Sequence, residues 1–160
     1  MRLRMNEDNK DNYFQMIYTS RTAPQLTEKG LIDILIAAQQ YNINKGVSGF
    51  LSYGTETLIQ LIEGNEFNVK NLYQKIKKDS RHMDMTVQHF GFTVKRCMPF
   101  LGMGLCFMEE SNQHVHQFYF TRHEAKNFSA LINGDIGKIF GKYLDNKTQA
   151  HELSDEPKKH

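Results

Sequence analysis

Hydrophobic and polar positions change period several times along the chain, and each change predicts an element. Residues 13–20, YFQMIYTS, form a short aromatic and β-branched run that predicts a strand. After the loop TAPQ, Thr27 is placed to cap a helix whose apolar positions Leu31, Ile34, Leu35 and Ala38 fall at helical spacing. The helical pattern fades near Asn42, and Gly46 marks a turn. VSGFLSY (47–53) and TLIQLIEG (57–64) predict two strands joined as a hairpin through GTET. Asn65 is placed to cap a second helix, with Phe67, Val69, Leu72, Tyr73 and Ile76 as its apolar stripe. DSRHMD ends that helix. MTVQHFGF (85–92) predicts a fourth strand and LGMGLCFM (101–108) a fifth, although its glycines weaken the strand pattern.

The order is βαββαββ. Two crossover helices on one face of a mostly antiparallel, five-stranded sheet make a ferredoxin-like α+β fold. Beyond a polar stretch the period becomes helical again. Thr121 and Glu124 read as a capping box, followed by Phe128, Leu131 and Ile132. A second short helix carries Ile136, Ile139, Phe140 and Tyr143 on one side. This pair must cover an apolar surface, either the open face of the sheet or another subunit. The expected organisation is a flexible tail over 1–12, a domain over 13–108, a helical extension over 109–145 and a flexible tail over 146–160.

Composition narrows this picture. The 160 residues suit one domain with an extension. The formal charge of only +2 gives no electrostatic case for a nucleic-acid partner. Cys97 and Cys106 form no CxxC and suggest a reducing, cytoplasmic setting. The polar start MRLRMNEDNKDN has no apolar signal core, and no window is long and apolar enough to span a membrane.

Gln60 raises the chemical question. It shares a strand face with Leu58 and Ile62, where an unpartnered amide costs a few kcal/mol. Tyr18 lies mid-strand on the face of Phe14 and Met16. As an isolated residue it reads equally well as a core tyrosine. The ferredoxin-like order makes strands one and three neighbours, so the Tyr18 hydroxyl and the Gln60 amide can meet. Asn42 alone would be an ordinary helix C-terminal residue. Its amide also offers a donor and an acceptor side by side, which suits an imide-like edge such as that of a flavin or pyrimidine. Asp79 reads as a solvated helix end, whereas Arg81 and His82 suit anionic or carbonyl oxygens. His114 and His116 share a strand face but have no third ligand at a recognisable spacing. No P-loop, nucleophile elbow or paired-carboxylate constellation is present, which argues against a small ferredoxin-like hydrolase.

Four pieces in register resemble the BLUF family of flavin-using blue-light sensors. They are MIYTSR, YNINKGVSGFLSY, LIQLIEG and KKDSRH, within a match from about Tyr13 to Leu105. The resemblance implies that Tyr18 is the photoactive tyrosine, donating an electron and a proton to the excited flavin. It implies that Gln60 bridges Tyr18 to the flavin, and that Asn42 holds the pyrimidine edge of the ring. Arg81 and His82 correspond to positions near the far carbonyl and the ribityl side. Ile34 and Ile76 correspond to the aliphatic residues that sandwich the ring, and Met103 to the methionine beside the glutamine.

The implied cofactor is FAD, with FMN possible, and the implied function is non-enzymatic sensing. The implied partners are a downstream signalling protein and a second copy of the chain in a homo-oligomer, with neither nucleic acid nor membrane. The competing reading is a light-independent flavin- or nucleotide-binding module of the same fold. Departures from the family pattern include Leu101 in place of a frequent tryptophan, in a chain with no tryptophan at all, and Tyr41 before Asn42. Successive helix residues point about 100° apart, so Tyr41 is expected to face away from the site that Asn42 faces.

Overall fold

In a computed structural model of the chain, residues 12–54, 56–98, 101–107, 119–120 and 134–142 are described. The elements are β1 (Tyr13–Thr22), α1 (Glu28–Asn44), β2 (Ser48–Tyr53), β3 (Thr57–Gly64), α2 (Glu66–Lys77), β4 (His82–Thr93), β5 (Gly102–Phe107), β6 (Tyr119–Phe120) and a helix α3 over 135–142. The sheet order is β4-β1-β3-β2-β5-β6. The first four strands pair antiparallel, and β5 joins β2 in parallel. This is the predicted ferredoxin-like α+β arrangement, with one correction. The two-residue β6 makes the sheet six-stranded rather than five, because Leu105 and Cys106 pair outward with Tyr119 and Phe120. Two residues are too few for a period to show in the sequence.

Both predicted caps form. Thr27 Oγ1 accepts from the Gly30 amide at 3.1 Å, and Asn65 Oδ1 accepts from the Phe67 amide at 3.0 Å. Each satisfies an amide that the first helical turn leaves free. Val69, Leu72 and Tyr73 are buried, with Ile76 packed against them. Phe67 is the exception to its predicted stripe and is 72% exposed. It stands two residues before Val69, about 200° around the helix.

β4 begins at His82, three residues before the predicted start. Register shifts interrupt its pairing with β1, and Asp84 takes φ 49°. The bulged segment breaks the alternation that marks a strand, so the polar run HMD reads as a helix end.

Alternation divides the core. Phe14, Met16, Tyr18, Leu58, Ile62 and Met103 face the layer that carries Leu31 and Leu35 of α1 and Val69 of α2. Ile17, Phe50, Ile59 and Leu61 face the other way and are covered by Ile136 and Phe140 of α3. The second C-terminal helix therefore covers the open sheet face of its own chain. The predicted helix over 121–133, with Phe128, Leu131 and Ile132, lies outside the described residues, as do His114 and His116.

A buried carboxylate ties the β4–β5 connection to this far face. Glu63 accepts from Gln15 Nε2 at 2.9 Å, Ser48 Oγ at 3.0 Å, and the amides of Cys97 at 2.9 Å and Met98 at 2.6 Å. Arg96 donates to the Gly46 carbonyl at 2.6 Å and to that of Glu63 at 3.0 Å. Glu63→Leu would leave two backbone amides and a hydroxyl without an acceptor. The expected loss is about 3 kcal/mol, from roughly 1–3 kcal/mol for each buried unsatisfied group less partial relaxation. Urea unfolding checks it, and a loss under 1 kcal/mol would remove Glu63 as the tie.

Candidate functional site

The register of β1 and β3 sets Tyr18 opposite Gln60. Both are buried, and the Tyr18 hydroxyl donates to Gln60 Oε1. The other end of the amide, Nε2, donates to Met103 Sδ at 3.5 Å. The amide on the apolar face is thus held between a hydroxyl donor and a thioether acceptor. Gly49 makes room for that acceptor. A Cβ there would lie 2.6 Å from the Leu61 carbonyl oxygen and 3.0 Å from Met103 Cε. Burial, reinforced by Tyr73 and Asp79, raises the Tyr18 pKa well above its ordinary value, so the phenol keeps its proton at neutral pH.

A cleft of about 370 Å³ opens between the two helices over this face of the sheet. Ile34 and Ala38 of α1, Ile76 of α2, and Gln60 and Met103 of the sheet line it. Asn42, Arg81 and His82 line it too, so the cleft gathers every predicted cofactor-binding residue. Tyr18 does not line it but touches two residues that do, bonding Gln60 and packing edge-on against His82. Leu101 is 41% exposed and does not line the cleft.

Asn42 is fully buried. Its Nδ2 donates to the Gly102 carbonyl at 3.4 Å, and its Oδ1 has no partner. A buried acceptor without a donor, on a residue that lines the cleft, is a group that a ligand donor could satisfy. Tyr41 lines the cleft beside Asn42, against expectation. The two side chains diverge around the helix, but a tyrosine is long enough to reach the opening from the flank. There Lys75 Nζ lies 4.3 Å from its ring centre.

Arg81 and Asp79 form a pair. Arg81 Nε lies 2.8 Å from Asp79 Oδ1, and Nη2 bonds Oδ2. The Arg81 guanidinium holds the Asp79 carboxyl down at about 2. Asp79 therefore orients Arg81 and is not merely a solvated helix end. His82 opens β4, and its Nδ1 lies 3.1 Å from Ser20 Oγ. Burial lowers its pKa from the usual 6.5, against the pull of Asp79, so the ring is neutral at pH 7.

Gln39 was not legible as a functional residue. Its Oε1 accepts from the Met103 amide at 3.0 Å, and its Nε2 donates to the Met103 carbonyl. The available signal was its spacing. Gln39 follows Leu35 by four and precedes Asn42 by three, so it is a polar residue on the buried stripe of α1. Tyr73, whose ring centre lies 5.5 Å from that of Tyr18, read only as core.

The fold and cleft define a class: an α+β domain whose two helices flank a cleft over the sheet, lined by the amides of Asn42 and Gln60. The chain belongs to the BLUF family, sensors of blue-light using FAD, whose family model matches residues 13–104. The photoactivated adenylate cyclase subunit beta of Euglena gracilis is 29% identical over 84 residues, covering 52% of this chain and 10% of the relative. The corresponding subunit of Euglena longa matches to the same extent. The chain thus spans about a tenth of the length of the curated relatives it matches.

Among solved structures, Klebsiella pneumoniae BlrP1 in a calcium and cy-diGMP complex superposes with a TM-score of 0.68 at 18% identity, over 83% of this chain and 34% of that one. BlrB, a BLUF protein in its dark state, gives 0.61 at 19% identity over 86% of this chain and 98% of its own. BlsA in its photo-activated state gives 0.61 at 22% identity over 82% and 94%. At these identities the structures show the shared fold.

Proposed function

We propose that this protein senses blue light by holding a flavin, FAD or else FMN, without a covalent bond in the cleft between α1 and α2. The observation that carries the reading is the chain Tyr18–Gln60–Met103 beside the unpartnered Oδ1 of Asn42. A flavin ring fits these groups. Its imide edge presents an N–H beside carbonyl groups, the complement of the Asn42 amide. Ile34 and Ile76 offer apolar surface to its faces. Arg81 and neutral His82 offer donors to oxygen atoms.

A bound flavin supplies absorption of blue light and the capacity to take up an electron and a proton. Tyr18 is placed to give up both, with its phenolic proton directed at the Gln60 amide oxygen. Rotation of the Gln60 amide exchanges its two ends. Nε2 then donates to the Tyr18 oxygen, while Oε1 faces Met103 Sδ, which has no proton to give. The bond to Met103 is lost, so β5 reads the state of the amide. The receiver is a downstream signalling protein or a second copy of the chain in a homo-oligomer, in the cytoplasm, with no catalysis by the sensor itself.

Flavin extraction tests the reading. The purified protein should be yellow, with equimolar flavin released on denaturation. Colourless protein that takes up neither FAD nor FMN would overturn it.

A further inference from the structure

We propose that Gln39 is a positioning residue for the switch: its amide clamps the backbone of Met103 and so holds the Met103 sulfur where Gln60 can donate to it. The inference rests on the functional reading above and adds a residue that does not line the cleft.

β5 pairs with β2 on one side, and on its other side β6 pairs with Leu105 and Cys106 but not with Met103. The Gln39 side chain takes the place of a neighbouring strand at Met103. It accepts from the amide at 3.0 Å and donates to the carbonyl of the same residue. One planar amide thereby satisfies both polar groups of one backbone unit.

Gly102 lies against the same amide. Its φ is +106°, and a Cβ built on it would collide with Gln39 Oε1. Its backbone conformation favours glycine in any case, and the absence of a Cβ leaves room for the Gln39 amide. Asn42, three residues further along α1, reaches the Gly102 carbonyl at 3.4 Å. Two amides on one face of α1 thus hold the first two residues of β5, and only that of Asn42 lines the cleft.

The consequence concerns Gln60. A methionine side chain has three rotatable bonds, so its sulfur stays at one point only if its backbone is fixed. Loss of the clamp weakens the Gln60–Met103 bond, which exists in one amide orientation and not in the other. The dark orientation is then less favoured, and return to it after illumination slows.

The experiment uses the full chain with its flavin. Gln39→Leu should slow dark recovery about two- to tenfold, the effect of one neutral hydrogen bond. In a Met103→Leu background, which has no sulfur acceptor, the same substitution should change recovery less than 1.5-fold. Gln39→Glu supplies an acceptor for the amide but, when ionised, no donor for the carbonyl. Its recovery should approach that of the unaltered protein as pH falls through the carboxyl range, while Gln39→Leu shows no such return. A light-independent arm follows the Met103 amide proton by NMR. Its exchange should quicken about tenfold or more in Gln39→Leu, with Leu51 unchanged.

Equal exchange at Met103 in both proteins overturns the clamp outright. Unchanged recovery in Gln39→Leu, or an equal slowing in the Met103→Leu background, overturns the positioning role while the functional reading stands. Absence of a light-induced shift in the unaltered protein overturns the functional reading instead, and the exchange arm alone then decides the clamp.

Discussion

Tyr18→Phe is expected to bind flavin, stay yellow and form no stable red-shifted state under blue light. Phenylalanine keeps the ring that packs edge-on against Tyr73 and removes only the hydroxyl. The loss leaves Gln60 Oε1 without its Tyr18 donor, at a cost of about 1–2 kcal/mol, too little to unfold a typical domain. The photochemical effect is much larger, because the residue touching the Gln60 amide no longer has an electron and proton to give. Flavin fluorescence should live longer in the variant. The chain has no tryptophan, so no indole competes as a donor. Tyr41 is the remaining candidate, since it lines the cleft. A variant that still photocycles would be resolved by Tyr18→Phe with Tyr41→Phe. Loss only in the double variant assigns Tyr41 as a second donor, and survival in both removes Tyr18 from the mechanism.

Gln60→Leu is expected to retain flavin and lose the light-induced shift entirely. Leucine suits the neighbours Leu58 and Ile62 and removes a buried amide, which favours stability. The wholly buried Tyr18 hydroxyl loses its acceptor, which opposes it by about 1–3 kcal/mol. The net change should be a loss of about 1 kcal/mol, measurable by urea unfolding. The sequence alone, which names Tyr18 as the partner but not how fully its hydroxyl is buried, gives an expectation of little change or a gain. The spectroscopic result follows from geometry: with no amide there is nothing whose two ends can exchange. A Gln60→Leu protein that shifts normally under blue light would take the switch away from Gln60.

The central strands and the site were legible because the signals there were local and consistent. The apolar run Leu58, Ile59, Leu61 and Ile62 marked β3, and its length allowed a single place for Gln60. Thr27 and Asn65 announced their helices through capping chemistry. Tyr18 and Gln60 came together because the ferredoxin-like order makes their strands neighbours, a constraint on topology rather than on side chains. Tertiary detail was hidden where the local pattern pointed elsewhere. The bulged start of β4 broke the alternation around Asp84. Phe67 looked like core because it is apolar, although its angle on α2 turns it outward. Tyr41 reaches the cleft by the length of its side chain, which an angular argument about the helix ignores. Glu63 and Gln39 are polar residues in apolar surroundings, the same kind of signal as Gln60. Each bonds backbone groups more than thirty residues away, and no pattern in the sequence names a backbone partner.

The most direct test of the central claim is the absorption spectrum of the purified full chain, recorded in the dark, during blue illumination and through recovery. The account predicts a flavin spectrum that shifts to longer wavelength in the light and returns fully in the dark, without the bleaching that a covalent adduct would cause. A flavin spectrum that blue light leaves unchanged would contradict it.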